Sequence, residues 1–353
     1  MPSLLQNLPE NQALDIVGDV HGEWTALENL LHHLGYNEQG KHPQGRKLVF
    51  VGDLCDRGPD SPAVLHWVLN AVAAERAFAI LGNHEINLLI NDAKDGSGWF
   101  FPDRPQDEQR YAPWQHYPAE KRAALVDALS AWPLVLQRSD LCVVHAAWLP
   151  ESLAKIAAAD LPLIPQYRRW EQQFHAAFHI GEWFADYQTE QTVFQVALED
   201  PDYAMPFLPG QAHYDLAHSF ANPIRTITRG AETLSAQPFY MNGRWRFTVR
   251  QPWWHDYSGG TPIIIGHYWR QWQPSIEPHH RKKLITEEPH HWLGKHHNVF
   301  CVDFSVGARW RERQKNIAPA QTQYHLAALR LPERVLILDN GHIEKTSQHS
   351  LKG

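Results

Sequence analysis

Five short apolar runs end in the same way, and this repetition constrains the chain more than any other feature. Leu14–Val17 runs into Gly18-Asp19-Val20-His21-Gly22, and Leu48–Val51 into Gly52-Asp53-Leu54-Cys55-Asp56-Arg57-Gly58. Phe78–Leu81 precedes Gly82-Asn83-His84-Glu85, Leu141–Val144 precedes His145-Ala146, and Ile263–Ile265 precedes Gly266-His267. Short apolar runs bounded by turn residues read as buried strands. Each would deliver a polar side chain to the carboxyl end of its strand, the edge at which open α/β sheets assemble their sites. Between the runs, Leu27, Leu30, Leu31 and Leu34 fall on one face of a helix over 23–34. Pro59 and Pro62 suit a helix start, and Val64, Leu65, Val68, Leu69 and Val72 continue it at helical spacing. Strands alternating with helices predict a mixed α/β chain whose early strands are largely parallel.

The rest of the chain reads less evenly. Residues 91–118, rich in Asp, Gly, Pro and aromatics, suggest a long surface loop, and 121–130 a helix. Residues 151–200 read as mainly helical and 201–224 as loop. From about 225 the pattern turns to strands, at Ile224–Thr228, Phe239–Met241, Trp245–Val249, Ile263–Ile265, Val299–Val302, Tyr324–Leu329 and Val335–Leu338. No Gly/Ser- or Pro-rich linker and no internal repeat interrupts the sequence. The expectation is one domain, 1–353, with a mainly helical insertion at about 150–222 and a strand-rich part from about 225.

Composition excludes more than it selects. The net charge of −7 argues against a stable nucleic-acid binder or an anionic-membrane binder. The first residues carry no signal-peptide pattern, and no run of about 18 apolar residues predicts a membrane span. Cys55, Cys142 and Cys301 are odd in number and sit in apolar surroundings, which suits buried thiols and a cytoplasmic location better than disulfides. A redox role for Cys55, between Asp53 and Asp56, is the sharper alternative.

The polar residues at the strand ends are Asp19, His21, Asp53, Asn83, His145 and His267. These are oxygen and imidazole donors without thiolate, a set that suits manganese, iron, zinc and similar ions. Six donors are too many for one catalytic ion that keeps a position open. They fit two ions about 3.5–4 Å apart sharing a carboxylate, able to hold a bridging hydroxide that attacks phosphorus in line. His175 and His179, four apart on a helix, form a weaker candidate pair. The histidines of 278–297 offer either a solvated loop or an accessory metal site or cap. Trp99, Phe100, Phe101, Tyr111, Trp114, Trp253, Trp254, Trp269 and Trp272 either line a cleft or pack locally.

At Gly18–Gly22, Gly52–Gly58 and Gly82–Glu85 the sequence resembles the calcineurin-like metallophosphoesterases, in the branch of Ser/Thr protein phosphatases and bacterial diadenosine tetraphosphatases. His145 and His267 match by position, and 150–222 has no counterpart. The resemblance implies a four-layer sandwich of two mixed β-sheets flanked by helices. It implies that Asp19, His21 and Asp53 hold one ion and Asp53, Asn83, His145 and His267 the other, with manganese or iron first and zinc, cobalt or nickel compatible. His84 would protonate the leaving oxygen, Asp56 would orient His84, and Arg57 would clamp phosphate oxygens. Arg225 and Arg229, in Asn222-Pro-Ile-Arg-Thr-Ile-Thr-Arg-Gly, resemble a further phosphate-binding stretch, Arg229 being favoured.

Three activities follow from the resemblance. The first is a phosphomonoesterase of Ser/Thr protein phosphatase type, acting on a phosphoprotein or small ester, which the intact Asp56-Arg57-Gly58 supports. The second is a dinucleoside polyphosphate hydrolase or a nucleotide or RNA-end phosphodiesterase. The symmetrical diadenosine tetraphosphatases lack an Asp at the Asp56 position, and this chain departs from them there. The third is a catalytically silent phospho-ligand binding module, disfavoured because every expected position is filled.

Overall fold

A computed structural model describes residues 3–241, 243–273 and 284–347. The chain divides into two compact units, one formed by 1–146 with 254–353 and the other by 147–253. From the N-terminus the first unit runs β1 (Leu5–Asn7), β2 (Leu14–Val17), α1 (Trp24–Leu34), β3 (Lys47–Phe50), α2 (Ser61–Ala73), β4 (Ala77–Ala79), α3 (Asn83–Leu89), α4 (Pro105–Tyr111), α5 (Arg122–Ser130), β5 (Val135–Arg138) and β6 (Leu141–Val144). The second unit holds α6 (Pro150–Ala157), α7 (Leu163–His179), α8 (Phe184–Phe194), α9 (Pro209–Ala221), α10 (Pro223–Arg229), β7 (Glu232–Met241) and β8 (Arg244–Arg250). The first unit resumes with β9 (Ile263–Ile265), β10 (Val299–Cys301), α11 (Arg309–Gln314), β11 (Ala327–Leu331), β12 (Val335–Leu338) and β13 (Ile343–Lys345).

Two mixed sheets make the first unit, in the orders β1-β5-β6-β9-β10 and β13-β12-β11-β2-β3-β4. The early strands β2, β3 and β4 are parallel, as the alternating pattern predicts, and β11 closes antiparallel on β2. Side chains alternate along a strand, so Leu14 and Ile16 of β2 join a core with Leu136 of β5, Val143 of β6, Ile264 of β9, Phe300 of β10 and Leu329 of β11. That shared core holds the two sheets face to face. Helix α1 buries Leu27, Leu30, Leu31 and Leu34 and packs on β12, while α2 packs on β4. Asp60 caps α2 by accepting from the Ala63 N–H at 2.9 Å. The α/β class with two mixed sheets is therefore the observed one.

Three local expectations are corrected. The loop expected at 91–118 contains α4, which starts at Pro105 with Asp107 and Glu108 in its first turn, favourable to the helix dipole. The loop expected at 201–224 contains α9. Its first N–H groups, at Gly210 and Gln211, donate to the Glu190 carboxylate of α8 at 3.0 and 2.6 Å, a cap that neighbouring sequence does not announce. The strand expected at Ile224–Thr228 is helix α10. Its β-branched residues suggest a strand, but Asn222 accepts from the Ile224 N–H, and Thr226 and Thr228 satisfy their hydroxyls on carbonyls of the preceding turn. The hairpin β7-β8 lies in the second unit, where Phe247 joins Leu198, Met205, Leu208 and Ala212 in a small core. Among the described residues no helix is long and apolar enough to cross a membrane.

Candidate metal centre

Each expected ligand leaves the carboxyl end of its strand. Asp19 and His21 follow β2, Asp53 follows β3, Asn83 opens α3 after β4, His145 follows β6, and His267 follows β9. Both sheets thus deliver donors to one edge. The backbone there is held in the left-handed region, with φ of 48° at His21, 50° at Asp53, 74° at Asp56, 69° at Arg57, 70° at His267 and 51° at Trp269. Non-glycine residues enter this region at a cost and persist when surrounding structure fixes them, which is common at functional sites. Two glycines allow the carboxylates their close approach. A Cβ at Gly82 would collide with the Asp53 carboxylate, and one at Gly266 with that of Asp19.

Asp53 sits at the centre. Its Oδ2 lies 3.3 Å from His145 Nε2, 3.8 Å from His84 Nε2 and 3.9 Å from His21 Nε2. Two buried groups of donors share it: His21, Asp53 and His84, and Asp53, His145 and His267. Asp19 lies beside the first, its Oδ2 4.0 Å from His21 Nε2, and accepts from the His267 backbone N–H at 3.0 Å. Asn83 is half-buried at the start of α3.

The donors fit divalent ions. His21 Nδ1 is 3.0 Å from the Cys55 carbonyl and His145 Nδ1 is 2.8 Å from the Val51 carbonyl. A carbonyl only accepts, so each Nδ1 donates its proton there, which leaves Nε2, on the side of Asp53, as the atom that would meet a metal. Burial, with Arg57 and His84 nearby, holds His21 well below the usual imidazole range and therefore neutral. Burial pushes the Asp19 carboxyl well above the ordinary range, and the neighbouring Asp303 and Asp53 carboxylates add to it. Burial also raises Asp53, but His145 and His84 outweigh it and keep that carboxylate ionised. Three buried carboxylates in one place call for a compensating cation.

A second set of residues stands beside the donors. His84 Nδ1 donates to Asp56 Oδ2 at 2.5 Å, and the Trp99 indole N–H donates to Asp56 Oδ1 at 2.6 Å. Both oxygens of a fully buried carboxylate are thereby used, and its orientation is fixed. Arg57 spreads its fork between two imidazoles, Nη1 at 2.9 Å from His21 Nε2 and Nη2 at 3.0 Å from His84 Nε2. The Trp269 ring lies 5.0 Å from the Arg57 guanidinium.

Sequence reasoning missed three supporting residues. Glu85, the last residue of Gly-Asn-His-Glu, accepts from the backbone N–H groups of Asp53, Leu54 and Gly82 at 2.8, 2.8 and 2.9 Å. Asp303, after β10, accepts from the N–H groups of Trp269 and Ser305, both at 2.8 Å. Trp99, for which the sequence leaves cleft lining and packing both open, is fully buried, as is Trp254, and its bond to Asp56 has no sequence signal. Tyr111 and Trp114 stack on each other, Phe100 and Phe101 meet edge to face, and Trp272 packs on Phe304. Packing therefore accounts for those aromatics, and Trp269 is the member that meets Arg57.

Arg225 and Arg229 are on α10 in the second unit, where Arg225 hydrogen-bonds Tyr167. His175 packs against Phe174 and Tyr214, and neither it nor His179 belongs to a group of three potential ligands among the described residues. Residues 278–283 of the His-rich segment lie outside the described residues. In the remainder, His290 and His291 meet edge to face with ring centroids 4.3 Å apart. All three cysteines are buried and form no disulfide, and burial pushes the Cys55 thiol well up, which disfavours its thiolate.

The calcineurin-like phosphoesterase profile matches residues 14–208. The chain belongs to that family of metal-dependent phosphoesterases, and its buried His/Asp groups form the corresponding metal-binding centre. Relatives include the asymmetrical bis(5'-nucleosyl)-tetraphosphatases PrpE of Oceanobacillus iheyensis, 49% identical over 74 residues, and of Anoxybacillus flavithermus, 47% identical over 73 residues. Each match covers 20% of this chain and 30% of the relative, so the chain spans less than a third of these relatives' length. Among solved structures, the cold-active protein-tyrosine phosphatase of a psychrophilic Shewanella species overlays 98% of this chain and 83% of its own, at 15% identity and a TM-score of 0.48.

Proposed function

We propose that this chain hydrolyses phosphate monoesters in the manner of Ser/Thr protein phosphatases. In this reading Asp19, His21 and Asp53 hold one divalent ion, and Asp53, Asn83, His145 and His267 the other. Manganese and iron are the ions proposed first, and zinc, cobalt and nickel suit the same oxygen and imidazole donors. When bound, such ions supply Lewis-acid activation of water and of the phosphoryl oxygens. The protein's own groups do the rest. Arg57 presents two N–H groups to phosphoryl oxygens, where a guanidinium fork bonds twice and offsets developing charge. With the Arg57 fork turned from His84 Nε2 to the phosphoryl oxygens, that nitrogen is free to carry a proton to the departing oxygen, and Asp56 holds the ring in place.

The observation that supports this most is the 2.5 Å contact of His84 with Asp56, itself locked by Trp99. An alkoxide leaves poorly without a proton, whereas para-nitrophenolate needs little help. His84→Asn is therefore expected to lower kcat on an alkyl phosphate by roughly 10² to 10⁴, the usual worth of a positioned acid. The loss on para-nitrophenyl phosphate should be smaller, and bound Mn²⁺ measured by mass spectrometry should not change. Loss of the metal in this variant would make His84 a ligand and overturn its assigned role.

A second reading, hydrolysis of dinucleoside polyphosphates, is favoured by the local identity to the PrpE tetraphosphatases. The two readings share the phosphoryl site and differ in what the substrate carries beyond it. Rates measured side by side on a phosphopeptide, diadenosine tetraphosphate and a 2',3'-cyclic nucleotide separate them.

A further inference from the structure

Helix α11 carries three arginines, and two are occupied. Arg309 donates to Asp339 at 2.7 Å and to the Tyr324 carbonyl at 2.8 Å, while Arg313 donates to Glu23 at 2.6 Å. Between them Glu312 is buried and accepts from the Gln323 N–H at 2.8 Å and the Thr322 hydroxyl at 2.5 Å. These contacts anchor the helix. Arg311 differs: it is exposed, and among the described residues no acid or carbonyl takes its N–H groups. Its guanidinium rests instead on two indoles, 5.8 Å from the Trp269 ring and 5.4 Å from the Trp310 ring.

Trp269 is the same ring that receives Arg57. Its backbone N–H donates to the Asp303 carboxylate and its φ is positive, so the indole projects from a fixed backbone position. Two guanidiniums thus share one aromatic ring, one beside His21 and His84 and the other facing solvent. In a chain of net charge −7 this is a local concentration of cation where an anionic ligand is expected. Aromatic faces hold a guanidinium without using its in-plane N–H donors, which remain available to phosphate oxygens.

We propose that Arg311, seated on Trp269 and Trp310, binds a second phosphoryl group where the substrate carries one, so that a phosphoanhydride chain is held more tightly than a monoester at the same site. The proposal rests on the reading of Arg57 as the clamp for the phosphoryl group under attack. Arg311 is a specificity-determining residue in this account: it touches the part of the substrate that does not react.

The test compares the full-length wild type with Arg311→Ala and Arg311→Lys in Mn²⁺. Kinetics on diadenosine tetraphosphate and on para-nitrophenyl phosphate are paired with calorimetric binding of inorganic tripolyphosphate and orthophosphate. In Arg311→Ala the KM for diadenosine tetraphosphate should rise about tenfold or more relative to that for para-nitrophenyl phosphate, the scale of a charge-assisted hydrogen-bond pair. Tripolyphosphate affinity should fall by a similar factor relative to orthophosphate, and Arg311→Lys should recover part of both. Equal changes on the two substrates, or unaltered tripolyphosphate affinity, would overturn the proposal. If the wild type turns over neither substrate, the phosphoesterase reading fails on its own, and the tripolyphosphate comparison still decides the role of Arg311.

Discussion

The carboxylate of Glu85 accepts three backbone N–H groups from two separate turns, those after β3 and β4. It is fully buried, and it fixes the loop that places Asp53. An amide in its place offers one acceptor oxygen and turns an NH2 group toward N–H donors. Glu85→Gln should therefore cost about 3 kcal/mol, the scale of buried donors left unmet next to a lost charge. Urea denaturation measures this, and a variant as stable as the wild type would show that the three bonds contribute nothing net. The residue was present in the motif Gly82-Asn83-His84-Glu85 but unassigned there. A hidden signal was its position: an acid three residues after the residue that begins a helix reaches back to the starting backbone N–H. By contrast, no sequence signal links Asp56 to Trp99, which lies 43 positions away.

At the scale of elements, strands were legible where the chain alternates between a buried core and a functional edge. Leu14–Val17 and Leu141–Val144 were read to the residue, because apolar runs this short cannot form a buried helix and the glycine or histidine beyond them marks the turn. Helices whose caps come from elsewhere were not legible. Glu190, from α8, supplies the start of α9, so the segment read as loop. The same helix carries a pH-sensitive group. Burial pushes the Asp215 carboxyl up to about 6 from its ordinary 3.8, although the Gln211 side-chain amide donates to it at 2.8 Å. The folded chain then binds more protons than the unfolded chain between these two values, so this residue's contribution to stability falls as pH rises from about 4 to about 6. Asp215→Asn keeps the acceptor for Gln211 and removes the charge. Its melting temperature should exceed that of the wild type above pH 6, and the two should converge near pH 4. A gap that stays constant across this range would contradict the assigned cause.

Over the whole molecule, the six expected metal donors come from segments spread between residues 19 and 267, yet all belong to the first unit. Their chemistry was legible because the six follow five strand ends, Asp19 and His21 sharing β2, and the donor types agree. What lay beyond sequence was the distance between them: nothing in the spacing of Asp19, Asp53, Asn83, His145 and His267 states that Asp53 stands nearest to three imidazoles. The same limit hid Arg311, whose meaning depends on Trp269 lying beside it, 42 positions earlier in the chain. The central claim is that Asp53 joins two metal sites into one centre. It is tested most directly by counting Mn²⁺ per chain, by mass spectrometry after reconstitution and gel filtration, in the wild type and in Asp53→Asn. The account predicts two ions in the wild type and loss of both in the variant, because each site loses a shared ligand. Retention of two ions by Asp53→Asn, or a single ion in the wild type at saturating Mn²⁺, would contradict it.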